Sequence, residues 1–179
     1  TLQELDQLEA AVKSYEKAIT IKPDYADAYI NLGITLKNLG QLDAAVKSYE
    51  KAIAINPDYA EAHNNLGNTL DDLGQLDAAV KSYENALAIK PDFAEAHNNL
   101  GNTLMNLDQL NEAVKCFKQA LAIKPDYAEA HNSLGNTLIE LGQLDAAIKS
   151  YNKALAIKPD FAEVYFNCGI LMNRLKRMD

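Results

Sequence analysis

The chain has 179 residues, 48% of them apolar, which is enough to bury a core and too many for a disordered segment. Its net charge of -8 argues against nucleic-acid binding, which needs clustered Lys and Arg, and an acidic surface repels anionic lipid. No apolar run approaches the roughly 18 residues of a membrane span and no charged-then-apolar leader opens the chain, so a soluble protein is expected.

One period governs the rare residues. The prolines Pro23, Pro57, Pro91, Pro125 and Pro159 lie 34 residues apart, as do His63, His97 and His131. The glycines fall on two series of the same spacing: Gly33, Gly67, Gly101, Gly135 and Gly169, and Gly40, Gly74 and Gly142. In chain order this predicts a half-repeat over 1–25, full repeats over 26–59, 60–93, 94–127 and 128–161, and a second half-repeat over 162–179. Thr1 corresponds to position 10 of a repeat, so the chain is expected to open inside a first helix and to be a fragment of a longer one.

Within each full repeat two apolar sets recur at helical spacing. The first holds Tyr29 or His63, then Leu32, Gly33, Leu36 and Leu39 or their equivalents; the second holds Leu42, Ala45, Val46, Tyr49, Ala52 and Ile53. Two amphipathic helices per repeat follow. Asp58 after Pro57 is placed to cap the first helix, with Glu61 completing a capping box, and Gly40 or Gly74 to end it. Lys90, Lys124 and Lys158 close the second helix, where positive charge suits the dipole, and a proline follows each.

Leu32, Gly33, Ala45, Tyr49, Ala52 and Pro57 resemble the signature of the tetratricopeptide repeat (TPR) family. The match recurs at Leu66 to Pro91, Leu100 to Pro125 and Leu134 to Pro159, across essentially the whole chain. The resemblance implies an all-α fold, a right-handed superhelical solenoid of antiparallel helix hairpins. Small residues at positions 8, 20 and 27 let paired helices approach, and Leu and Tyr fill the spaces between.

In the TPR family the face opposite the first helix's apolar stripe lines a concave groove. Here that face is rich in Asn: Asn31 in the first full repeat, then Asn64, Asn65 and Asn68, then Asn98, Asn99 and Asn102, then Asn132 and Asn136 around Ser133. Asn costs about 0.5 kcal/mol per site against Ala in a helix, so the eight in the three later full repeats sacrifice ~4 kcal/mol of helix preference. Each carboxamide is donor and acceptor at once and suits the backbone of an extended peptide. A second reading stays open, because near-identical repeats point to duplication, and one ancestral Asn copied several times gives the same pattern.

The TPR arm of O-GlcNAc transferases carries a comparable Asn ladder at position 6, matched here by Asn31, Asn65, Asn99 and Asn167 and broken by Ser133. That resemblance implies contacts to the backbone of a bound polypeptide. TPR domains that clamp acidic chaperone tails instead need Lys or Arg at positions 2, 5 and 6. Those positions here hold Asp or Glu, Asn or Ile, and Asn or Ser, which argues against such a clamp.

Asp27, Glu61, Glu95, Glu129 and Glu163 each sit in a first helical turn, where acids are favoured without any ligand. The histidines occupy an aromatic position of the family and adjacent copies should stand roughly 10 Å apart, which favours packing over a shared metal ion. Cys116 and Cys168 belong to no CxxC or Cys/His cluster and have no adjacent base. A disulfide framework, structural zinc and a nucleophile are all disfavoured, and the cysteines fit a reducing, cytoplasmic setting. No catalytic or cofactor motif appears, so neither an enzyme nor a cofactor is expected.

The half-repeat over 162–179 lacks a partner helix, and its groove positions are Phe166 and Ile170, as Ile30 and Ile34 are near the start. Exposed array ends predict self-association. The leading expectation is a protein–protein interaction module that binds extended segments of protein partners. The alternatives are the substrate-recruiting arm of a larger glycosyltransferase-like enzyme and a self-assembling scaffold.

Overall fold

The computed structural model describes residues 2–175. Among them lie ten helices and no strand. The chain divides into two compact units, one up to Pro91 and one from Asp92 on. The first holds α1 (Leu2–Ile21), α2 (Ala26–Asn38), α3 (Leu42–Ile55), α4 (Ala60–Asp72) and α5 (Leu76–Ile89). The second holds α6 (Ala94–Asn106), α7 (Leu110–Ile123), α8 (Ala128–Glu140), α9 (Leu144–Ile157) and α10 (Ala162–Leu175). The fold is all-α and built of repeated hairpins, each pairing an even-numbered helix from α2 to α8 with the one after it.

Each hairpin closes on one contact. Tyr49, Tyr83, Phe117 and Tyr151 bury their rings against Gly33, Gly67, Gly101 and Gly135. A Cβ on those glycines would stand 2.6, 2.6, 2.7 and 2.5 Å from a ring carbon, so only glycine admits the ring. Burying such a ring stabilises by about 2–3 kcal/mol, and the alanines at 0% exposure beside it, such as Ala45 and Ala52, keep the helix axes close.

The turn inside each hairpin follows from chirality. Gly40, Gly74 and Gly142 have φ of +74, +72 and +72°, and their N–H groups bond the carbonyls of Lys37, Asp71 and Ile139. The next residue reaches one carbonyl further back, as in Gln41 N–H to Leu36 O at 2.9 Å, which completes a Schellman cap. In the hairpin of α6 and α7 this place is taken by Asp108, forced to φ +60°. Its N–H still bonds Met105 O at 3.0 Å. An L-residue holds this left-handed conformation at a cost of about 1–2 kcal/mol.

Two expectations about helix ends are corrected. Asp58 is not a cap: Pro57 and Asp58 form a turn in which the Asp58 N–H meets Asn56 Oδ1, and the N-cap is Tyr59, with no side-chain cap bond. Glu61 is thus the second helical residue, one short of the capping-box position, and pairs with Lys90 at 3.1 Å instead. At the start, the expected end of one helix and beginning of another are a single helix, α1. Asp6 stands where Gly40 stands later. Continuing the helix costs less there than placing an Asp at positive φ.

Candidate peptide-binding face

The Asn residues sit on α2, α4, α6 and α8, the helices that open each hairpin. The structure sorts them by depth. At position 5, Asn64, Asn98 and Asn132 are buried, at 5, 5 and 4% exposure. At position 6, Asn31 is exposed and Asn65, Asn99 and Asn167 are half-buried. At position 9, Asn68, Asn102 and Asn136 are half-buried as well. The position 5 carboxamides therefore lie in the interior, and positions 6 and 9 form the accessible part of the set.

Position 9 is oriented from behind. The Tyr83 hydroxyl donates to Asn68 Oδ1 at 2.8 Å, and the Tyr151 hydroxyl donates to Asn136 Oδ1 at 2.6 Å. With the oxygen engaged, the Nδ2 group is the part of each carboxamide still able to donate. Phe117 removes this partner from Asn102, and in the first hairpin Ile34 stands where the Asn would be. There burial pushes the Tyr49 phenol up to about 12.

Between α8 and α10 the polar groups close into a network. Asn132 Nδ2 donates to Glu163 Oε1 at 2.8 Å, and Asn167 Nδ2 donates to both Asn132 Oδ1 and Asn136 Oδ1 at 3.0 Å. One period earlier Ser133 replaces Asn167 and is too short to bridge. Asn98 Oδ1 is accordingly buried without a partner. Beside the network Met105, Asn136, Ile139, Glu140, Tyr151, Asn167 and Ile170 line a cavity of about 210 Å³.

The position 2 acids serve as ties within each unit. Asp27 accepts the Tyr59 hydroxyl at 2.6 Å, which raises the Tyr59 pKa, and Glu129 lies 3.9 Å from Lys158. The Glu61 carboxyl is held below its usual range by its own backbone N–H and by Lys90. Lys37 and Asp72 pair across α2 and α4 at 2.9 Å. Lys124 and Lys158 also cover the rings of Tyr127 and Phe161 at 4.7 Å.

His63 and His131 are buried, and their Nε2 atoms meet the carbonyls of Pro57 and Pro125 at 3.0 and 3.1 Å. Nε2 is therefore the protonated nitrogen. Desolvation lowers the His131 pKa, so the ring is neutral near pH 7. Among the described residues no three His, Cys, Asp or Glu side chains converge as a metal site. Burial pushes the Cys168 thiol up, away from the reactive thiolate.

A family model described as TPR repeat matches five overlapping segments, residues 2–40, 36–74, 68–108, 101–139 and 135–175. The chain belongs to the tetratricopeptide repeat family. No curated protein sequence matches this TPR chain. Among solved structures, MamA is similar at 24% identity and TM-score 0.81, over 90% of this chain and 94% of that one. YrrB, described as a TPR protein with an unusual peptide-binding site, is similar at 25% identity and TM-score 0.77, over 94% and 87%. TTC0263, a thermophilic TPR protein in Thermus thermophilus, is similar at 25% identity and TM-score 0.75, over 96% and 93%. Membership supports an interaction module with protein partners as the general class. No described helix of the TPR chain is long and apolar enough to cross a membrane.

Sequence reasoning missed the tyrosine brace behind position 9. Its signal was present: Asn68 and Asn136 pair with Tyr fifteen residues later, and the repeat with Ile34 lacks the pair.

Proposed function

We propose that this TPR protein is a non-catalytic interaction module that holds an extended polypeptide against the Asn-bearing helices. The carrying observation is at Asn68 and Asn136: each carboxamide oxygen is occupied by a buried tyrosine hydroxyl, which leaves the N–H donors for a ligand. Such donors match the carbonyls of a strand-like backbone and are indifferent to its side chains. Asn31 and Asn65 in the first unit and Asn99 in the second add carboxamides to the accessible set, while Asn64, Asn98 and Asn132 are buried. The similarity to YrrB supports a peptide as the ligand class. Replacing Asn65, Asn68, Asn99 and Asn102 together by Ala is expected to weaken capture of immobilised unstructured peptides at least tenfold while circular dichroism stays helical. Full capture by the helical variant refutes the reading.

Self-association is a second reading, favoured by one observation: Tyr165, Phe166 and Met172 of α10 are 57, 70 and 58% exposed. Light scattering that rises with concentration and is abolished by Phe166→Asn supports it. A monomer at all concentrations removes it.

A further inference from the structure

The second unit holds another concavity, apart from the Asn face. Helices α7 and α9 flank a groove of about 590 Å³ with α8 beneath it. Leu121, Leu134 and Ile157 give it an apolar lining, and His131 belongs to its floor. Lys118, Lys149 and Lys153 line it too, and no carboxylate does. Among the described residues none of these three lysines enters an ion pair. On a chain of net charge -8, three unpaired cations around one apolar cleft make a local exception.

Duplication alone does not account for the cluster, although Lys149 keeps its counterpart Lys81. Two periods earlier the equivalent positions are Glu50, Lys81 and Asn85, so the corresponding side chains of the first unit sum to no net charge. The apolar positions are retained there, as Ile53, Leu66 and Ile89. Substitution has thus changed the charge and kept the apolar character. A cleft of this volume takes a few residues of chain, with a small number of polar groups fixing orientation. The neutral floor histidine leaves the lysines as the source of positive potential, and clustered charges over low-dielectric walls focus it.

We propose that the α7–α9 groove is a second docking site, for an acidic polypeptide segment in which a carboxylate side chain lies beside an apolar one. The carboxylate meets Lys118, Lys149 and Lys153, and the apolar side chain fills the space over Leu134. This site is independent of the Asn face, so either can fail without the other.

The test uses two fluorescein-labelled peptides, one alternating leucine with glutamate and one alternating leucine with glutamine, and polarisation at low ionic strength. The glutamate peptide is expected to bind at least tenfold more tightly, and to lose that advantage in Lys118→Glu/Lys153→Asn. Both replacements occur naturally at the matching positions of the first unit. Asn68→Ala/Asn102→Ala should keep the preference for glutamate over glutamine, because the Asn face does not distinguish the two side chains. Should the lysine variant lose helicity, Lys149→Gln alone is expected to weaken the glutamate peptide several-fold. Equal binding of the two peptides overturns the proposal, as does a folded lysine variant that retains full affinity. Phosphatidylglycerol vesicles that bind through the same lysines, with no peptide binding, overturn it in favour of a lipid surface.

Discussion

The junctions of α8 with its two neighbouring first helices use the same positions and end differently. Toward α10, Asn132, Asn136 and Asn167 form a closed set that reaches Glu163 and Tyr151. Toward α6, Ser133 and Phe117 stand where Asn167 and Tyr151 do, and Asn98 Oδ1 is left with no partner. The contrast shows that much of the Asn ladder is internal structure. A carboxamide is open to a ligand to the extent that neighbouring repeats leave its donors unused.

The largest expected effect sets α8 against α10. Gly135→Ala puts a methyl 2.5 Å from the buried Tyr151 ring and should destabilise by about 3 kcal/mol in urea unfolding. Gly169 meets nothing within 4 Å, so Gly169→Ala should cost nothing and gain up to about 1 kcal/mol of helix propensity. Similar losses at both sites would show that the ring does not govern the glycine.

Ser133→Asn should convert the α6 junction to the α10 kind by giving Asn98 Oδ1 its donor, a gain of about 1 kcal/mol. An unchanged unfolding midpoint would mean that Asn98 is already satisfied. Asp108→Gly makes the α6–α7 turn match that of α8–α9. Relief of the positive φ should raise stability by about 1 kcal/mol, read as a higher midpoint with the same slope.

The smallest effect is in pH. The native His131 pKa lies below its ordinary value through desolvation, so between the two values the unfolded chain takes up a proton that the native one refuses. His131 therefore contributes stability fully above about pH 6.5, and loses it as pH falls toward the native value. Tyr165, at the same position of α10, donates its hydroxyl to Pro159 O at 3.2 Å, where His131 donates its Nε2–H to Pro125 O. His131→Tyr should keep that bond and flatten the pH dependence in this window. An unaltered slope would assign the dependence to other groups.

The fold was legible because period, glycine and proline placement act through backbone geometry, which local sequence specifies. Gly40, Gly74 and Gly142 ended their helices at positive φ as their positions implied. The capping role of Asp58 was misread because a Pro-Asp turn and a Pro-Asp cap share the same letters, and the turn won. The candidate site was legible only as a face. Depth depends on the neighbouring repeat, so Asn64 and Asn65, adjacent and identical in type, separate into interior and accessible positions only in three dimensions. The Lys118 groove was missed because its lysines come from two helices, and only Lys118 and Lys153 differ from their first-unit counterparts.

The central claim is that side-chain amides on the first helices meet a peptide backbone. It is tested most directly by following the Asn side-chain NH2 resonances in nitrogen-15 spectra while a captured peptide is titrated. The account predicts shifts at the NH2 groups of Asn68, Asn102 and Asn136, with Asn132 nearly unmoved. Saturable binding that leaves the accessible amides unshifted would contradict it.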